Sequence, residues 1–504
     1  MFDVIGPLTD GFATALQPHN LLYALIGAFL GTVVGVLPGI GPAGALALMI
    51  PVVLNFEPVS ALIMLAALYS GAMYGGSTTS ILLNVPGETS SVVTCLDGHV
   101  MAKQGRAGAT LSIAAIGSYI AGTLGVIGLM LFAPIIADAA LAFGPPEYFA
   151  LMVFGLSAVV SLSGTLLTKG LLAMCLGLAL ATVGSDVTGV FRFTFGIPDL
   201  NPGIELLALS IGLFAISEVL ISAREIGAGL PRTIIAHKIL IKLSEIRESL
   251  GAIFRGSVIG FLVGVLPGAG AGIASFLSYS FETQISRNPE RFGQGEIRGV
   301  AAPESANNAA SAGALVPMLT LGIPGSGTTA ILLLALAALD VQAGPLLFIQ
   351  RPDIVWGLIA ALYIGNVMLL ILNLPLVGIF VRILYTPMYV LLPLIMMISV
   401  IGVYSANQAV LDLVFLCAFG ATGYFMRRNG FPLAPVILGF VLGGRLEEAL
   451  RQSMIMTQGS LHRIVERPIV ATFLVLAVVA MAVPIVLQRV RLQGKAVELE
   501  REEA

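Results

Sequence analysis

Charge is what this sequence has least of. Asp, Glu, Lys and Arg make up 11% of its 504 residues, against about 25% in a soluble globular protein. A chain this poor in charge cannot cover its surface in water, so lipid has to be its solvent. The net charge of −3 is too small to imply a nucleic-acid partner, and no basic patch is interleaved with aromatics. Cysteine is nearly missing too. Cys95, Cys175 and Cys417 stand far apart, without metal spacing or the even count of a disulfide framework, and are expected to be small buried hydrophobes. His19, His99, His237 and His462 are scattered and form no metal cluster. The HExxH, GxSxG and paired-aspartate patterns of intramembrane enzymes are absent, so the chain reads as a non-enzyme without cofactor. No Lys or Arg occurs in the first 19 residues, which therefore lack the basic start of a signal peptide.

What the sequence does have is apolar length. It is 57% hydrophobic, with a mean hydropathy of +0.98. Uncharged runs such as 110–137 and 468–487 reach the roughly 20 residues that cross a bilayer core. The fold class is an all-α polytopic membrane protein. The stretches 110–138 and 354–385 are each long enough to hold either one helix or two short passes.

The chain also repeats itself. Residues 27–43 read GAFLGTVVGVLPGIGPA and residues 256–272 read GSVIGFLVGVLPGAGAG, identical at nine of 17 positions and offset by 229. A second echo sets Asn84-Val85-Pro86-Gly87 against Gly322-Ile323-Pro324-Gly325, offset by 238. The same order of echoes in both halves points to duplication.

Cations place the loops. Lys103 and Arg106 mark one loop, and Phe143 to Tyr148 has none. Lys169 stands alone, and 185–201 carries only Arg192. Arg224, Arg232, Lys238, Lys242 and Arg247 make the joining segment cytoplasmic. Arg287, Arg291 and Arg298 mark another loop, Arg427 and Arg428 a further one, and Arg489, Arg491, Lys495 and Arg501 the tail. The arrangement expected from these is a first transmembrane repeat (1–222), a cytoplasmic linker (223–250), a second, inverted repeat (251–467), and a final helix with a cytoplasmic tail (468–504). Each repeat would make about five crossings plus a hairpin. The N-terminus would be extracytoplasmic, and equivalent loops of the two halves would face opposite sides. Arg451, Arg463 and Arg467 are the cations this arrangement leaves outside.

Glycine and proline cluster at four places: 38–44, 84–88, 267–272 and 322–327. Proline removes a backbone donor and glycine costs about 1 kcal/mol relative to alanine, so a helix breaks there. Backbone freed at membrane depth belongs in a cavity rather than against lipid. Broken helices at matching points of two inverted halves point to a transport site, where half-helix N-termini offer N–H groups to an anion. The candidate substrate-binding residues are Pro38, Gly39 and Gly41, then Ser77, Thr78, Asn84, Pro86 and Gly87. From the second half come Pro267, Gly268 and Gly270, then Pro324, Gly325, Ser326, Thr328 and Thr329. Their hydroxyls and amides can bind carboxylates, and Asn307 or Asn308, with carbonyls at the breaks, can ligate an ion. The plainer reading is that small residues here only let helices pack closely. Glu88, Asp97, Glu304 and Asp340 lie near breaks or helix ends; acids at membrane depth are functional candidates, although solvation at a loop end accounts equally well for Asp97 and Asp340. Two enzyme-like strings fail on context. Gly39, Gly41 and Gly44 fit GxGxxG without the preceding strand, and Thr328 stands where a phosphate loop needs lysine.

The paired GVLPGxG motifs, YGGSTTSILLNVPGE (74–88) and LGIPGSGTTAILL (321–333) resemble the large membrane subunit of tripartite tricarboxylate transporters, the TctA family, over about residues 15–465. The resemblance implies a secondary active importer of carboxylates in the bacterial inner membrane, driven by a sodium or proton gradient. It implies two partners, a small membrane subunit and a periplasmic solute-binding protein. From another class, the permease of an ATP-driven importer would need a cytoplasmic coupling helix, for which 223–250 is the available segment.

Overall fold

A computed structural model describes residues 4–37, 41–162, 167–186, 188–225, 241–383 and 388–482. Its first helices are α1 (Ile5–Ala15), α2 (Pro18–Val36), α3 (Gly41–Val53), α4 (Pro58–Leu83), α5 (Ala107–Ala140), α6 (Pro145–Leu162), α7 (Leu167–Leu180), α8 (Leu206–Ile211) and α9 (Ser217–Glu225). There follow α10 (Leu243–Val265), α11 (Gly270–Ile285), α12 (Arg298–Gly313), α13 (Leu315–Leu321), α14 (Gly327–Ala338), α15 (Leu347–Gln350), α16 (Pro352–Asn373) and α17 (Val377–Ile383). The last are α18 (Met388–Asn407), α19 (Val410–Arg428), α20 (Ala434–Met456), α21 (Leu461–Val465) and α22 (Pro468–Ala482). The one sheet among the described residues pairs Gly184–Ser185 with Phe191–Arg192.

Among the described residues, seven helical segments are long and apolar enough to cross a membrane. The chain is a multi-pass, all-α membrane protein. Residues 110–138 lie in the single helix α5, whereas 354–385 holds α16 and then α17. The breaks leave α3 and α14 only 13 and 12 residues long. At 1.5 Å per residue that is about 20 Å, short of the roughly 30 Å core.

Local chemistry sets these boundaries. Pro18, Pro58 and Pro352 sit in the first turns of α2, α4 and α16, where the missing N–H costs no helical bond. Helix α4 ends on Asn84 and α13 on Gly322, both left-handed (φ 59° and 69°), a conformation that asparagine and glycine tolerate best.

Two compact units emerge. One joins residues 1–141 with 205–425, the other 142–204 with 426–504. In the second, α7 packs on α20, with Gly177 against the Val436 backbone, and Arg192 and Arg467 pair with Glu447 and Glu147. In the first, α4 and α12 are buried on nearly every side. Such burial suits apolar α4, but α12 reads RGVAAPESANNAASAG and buries Glu304, Ser305, Asn307, Asn308 and Ser311.

Glycines set how closely these helices approach. A Cβ added to Gly27, Gly31 or Gly35 of α2 would lie 2.2, 2.2 and 2.3 Å from the carbonyl oxygens of Met64, Leu68 and Ala72 of α4. At Gly256, Gly260 and Gly264 of α10 it would lie 2.4, 2.3 and 2.4 Å from those of Ala302, Ala306 and Ala310 of α12. These are the same three contacts at the same spacing, shifted by the offsets of the sequence echoes. The duplication is therefore a repeat of packing as well as of sequence.

The expectation of three buried cysteines needs correcting. Cys175 and Cys417 are exposed and Cys95 is half-buried. An outward thiol on an apolar helix is compatible with a lipid-facing surface, where burial is no longer the only apolar environment. Of the 223–250 segment, 223–225 finish α9 and 243–250 begin α10, while 226–240 lie outside the described residues. The 483–504 part of the final helix and tail lies outside them as well.

Candidate functional site

Each half carries two breaks, and their geometry repeats. Gly41 and Gly270 open α3 and α11 with the same left-handed φ of 63°. After the second breaks, capping pairs form at matching positions. In the first half the Glu88 N–H donates to Ser91 Oγ at 3.3 Å. In the second the Ser326 N–H donates to Thr329 Oγ1 at 2.8 Å, and the Thr329 N–H donates to Ser326 Oγ at 3.2 Å. Gly87 packs against the Gly35 carbonyl, and Gly325 against that of Gly264. Only glycine fits there, because an added Cβ would stand 2.5 and 2.9 Å from those oxygens.

The breaks also meet across the halves. Helix α3, which follows the first break of the first half, packs on α14, which follows the second break of the second half. The exchange is mutual: α11 packs on the turn Thr89–Ser91. A Cβ on Gly272 would lie 3.4 Å from Thr89 Oγ1. Within the second half, the Gly268 N–H donates to the Gly325 carbonyl at 3.0 Å.

The expected site residues fall into three groups. Pro38 and Gly39 lie outside the described residues. Gly41, Asn84, Pro86, Gly87, Pro267, Gly268, Gly270, Pro324 and Gly325 form the breaks themselves, with Asn84 exposed and the rest buried or half-buried. The polar side chains make up the third group. Ser326 and Thr329 cap α14, while Thr78 and Ser77 line a cavity of about 10 Å³ together with Tyr74, Ser118 and Asn373. Thr328 is buried beside the cap. A second cavity, of about 30 Å³, is lined by Tyr69, Ser70, Asn308, Ser311 and Asn366 among others. That is room enough for a water.

Two acids give this region its electrostatic character. Glu304 is fully buried, with Ser77 Oγ and Thr94 Oγ1 donating one to each of its oxygens. Both donors come from the first half. Glu88 Oε1 accepts from Ser90 Oγ and from Asn307 Nδ2, the latter at 3.2 Å. Asn308 Nδ2 points elsewhere, to Ser118 Oγ at 2.7 Å and the Glu304 carbonyl at 3.1 Å. Thr94 and Ser118 were not expected from the sequence. The default suspicion of intramembrane acids does find Glu88 and Glu304, but nothing local names their donors.

Asp97 is not solvated at a loop end. It is fully buried, and its Oδ1 accepts the N–H groups of Gly293, Gly295 and Glu296 at 2.9, 2.8 and 2.8 Å. Tyr279 Oη donates to Oδ2 at 2.9 Å. Four fixed donors make Asp97 an anchor for the 286–297 loop. Asp340 is an exposed left-handed turn residue.

Comparison with known proteins fits this geometry. Residues 21–438 match the tripartite tricarboxylate transporter TctA family. The chain belongs to that family. Membership makes it a membrane component of a tripartite transporter, a system of several subunits. The family is one of transporters, which favours a non-enzyme. Two similar proteins come from Agrobacterium vitis. An uncharacterized 52.8 kDa protein in the TAR-I ttuC' 3'region is 44% identical over 480 residues, 94% of this chain and 95% of that one. An uncharacterized protein in the TAR-II ttuC' 3'region is 46% identical over 220 residues, 44% of this chain and 91% of that one. No solved structure matches the chain.

Proposed function

We propose that this TctA-family chain is the solute-conducting subunit of a binding-protein-dependent secondary transporter, taking up a tricarboxylate or related organic acid on a sodium or proton gradient. The observation that supports this best is the mutual contact of the broken helices, α3 with α14 and α11 with Thr89–Ser91. In this reading 1–222 and 251–467 are inverted repeats with their breaks near the membrane midplane. The chain sits in the bacterial inner membrane, with its N-terminus periplasmic and its C-terminus cytoplasmic. Its partners are a small membrane subunit and a periplasmic solute-binding protein.

The substrate's carboxylates would lie against the N-termini of α3 and α14. First-turn N–H groups there have no helical acceptor, and the helix dipole favours an anion. Gly41 opens α3, Thr328 lies in the first turn of α14, and a Cβ on Gly270 would lie 3.7 Å from the α14 cap residue Ser326. The described breaks present no Lys or Arg, so affinity would come from oriented dipoles and from co-bound cations that offset the substrate's charge. Capture at low concentration would fall to the binding protein. The ATP-driven alternative has only the 223–250 segment behind it.

Uptake of labelled citrate into proteoliposomes decides between them. The expected result is accumulation that needs both an imposed ion gradient and the binding protein, and no ATP. Full-rate accumulation without a gradient, or a strict need for ATP, would defeat the proposal.

A further inference from the structure

Glu88 and Asn307 belong to different halves and are joined side chain to side chain. Glu88 accepts from Ser90 Oγ and Asn307 Nδ2, both neutral donors. Among the described residues it forms no ion pair. Glu88 is half-buried, and an ionised carboxylate held there without a counter-charge is costly. An independent observation points the same way. Asn307 is 0% exposed, and its Oδ1 has no hydrogen-bond partner, an uncommon state for a buried acceptor. A carboxylate with only neutral donors and an oxygen with no donor thus stand on one pair of side chains.

The neighbouring groups are committed elsewhere. Glu304, one turn earlier on α12, has both oxygens occupied by Ser77 and Thr94. The Asn308 amide is turned to Ser118 and the Glu304 carbonyl. We infer that the Glu88 carboxylate, Ser90 Oγ and Asn307 Oδ1 form the binding site of a monovalent alkali cation. A single carboxylate neutralises a single positive charge, and an all-oxygen donor set suits a hard ion. On binding, the Asn307 amide turns its oxygen toward the ion and gives up the Nδ2 bond to Glu88.

As a place for a coupling ion, the site rests on the transport reading above. Glu88 precedes Thr89, which faces Gly272 of α11, so a cation bridging Glu88 and Asn307 fixes the first-half tip against α11 and α12. Substrate binding at the same tips then meets a region already ordered, which makes the two bindings mutually favourable.

The test is radiosodium binding and thermal unfolding of the purified full chain in detergent, with choline chloride holding ionic strength constant and no carboxylate present. Saturable sodium binding with a raised unfolding temperature is expected for the wild type. Glu88→Gln and Asn307→Ala should weaken binding by about 10- to 100-fold or more, the range that loss of even a supporting group typically costs. Asp353→Asn, at an exposed Arg351 pair, should bind as the wild type does. If Glu88→Gln does not fold, Ser90→Ala and Asn307→Ser serve instead, with the same expectation. A wild type that binds no alkali cation overturns the site, as do undiminished binding by the variants and stabilisation by acid alone, which would make Glu88 a proton site. Binding here is measured without transport. Its absence would leave the transport proposal standing, and failed uptake would leave the site standing.

Discussion

The glycine contacts between paired helices allow a quantitative test of the repeat. Replacing Gly260 by alanine puts a Cβ 2.3 Å from the Ala306 carbonyl oxygen and 2.6 Å from its Cα. Ordinary contact begins at 3.4 Å, so α10 and α12 must separate by about 1 Å, a displacement that a packed interior resists. Overpacking of this kind costs about 1–3 kcal/mol. Alanine returns at most about 1 kcal/mol through helix propensity, leaving a net loss of about 0–2 kcal/mol before the stretched bonds are counted. The displaced segment carries Glu304 and Asn307, so their bonds to Ser77, Thr94 and Glu88 stretch as well. Gly31→Ala, the equivalent position in the first half, meets the Leu68 carbonyl oxygen at 2.2 Å and should cost as much. Gly378→Ala is the control: the position is exposed with nothing within 4 Å, and the change should be neutral or slightly stabilising. Thermal unfolding of purified variants in one detergent gives the order. Gly260→Ala or Gly31→Ala unfolding at or above the wild-type temperature would refute the close approach and the packing repeat with it.

Gly268 holds a φ of 80°, where a β-branched residue is strained by roughly 1–2 kcal/mol. Gly268→Val should therefore abolish carboxylate uptake while the protein still inserts, and wild-type uptake would count against a role for this break. Asp97→Ala leaves three backbone donors without their acceptor, a loss of at least about 3 kcal/mol at about 1 kcal/mol each. Trypsin should then cut faster at Arg287 and Arg291, and an unchanged rate would show that Asp97 does not anchor the loop. After replacement of Cys95, Cys175 and Cys417, single cysteines at residues 10 and 495 should react with an impermeant reagent from opposite sides of the membrane. Reaction of both from one side would remove the inverted-repeat proposal.

The sequence by itself determined whatever is written into the chain locally. Too little charge for water made it a membrane protein. Proline's missing donor and glycine's freedom at positive φ ended helices at Leu37, Asn84, Leu266 and Gly322. The echoes at offsets 229 and 238 disclosed the duplication, because a contact made twice needs the same small residues twice. The suspicion of buried acids reached Glu88 and Glu304. Only the tertiary structure decided who holds them. Ser77 and Thr94 reach Glu304 across 227 and 210 residues, and Asn307 reaches Glu88 across 219. Burial of polar α12, the anchoring of the 286–297 loop by Asp97, and the joining of 142–204 with 426–504 were settled there too. The reason is physical. A break or a lipid-facing run follows from a few neighbouring residues, whereas a side chain's partner depends on the rotation and register of two packed helices. The whole set of contacts fixes these together.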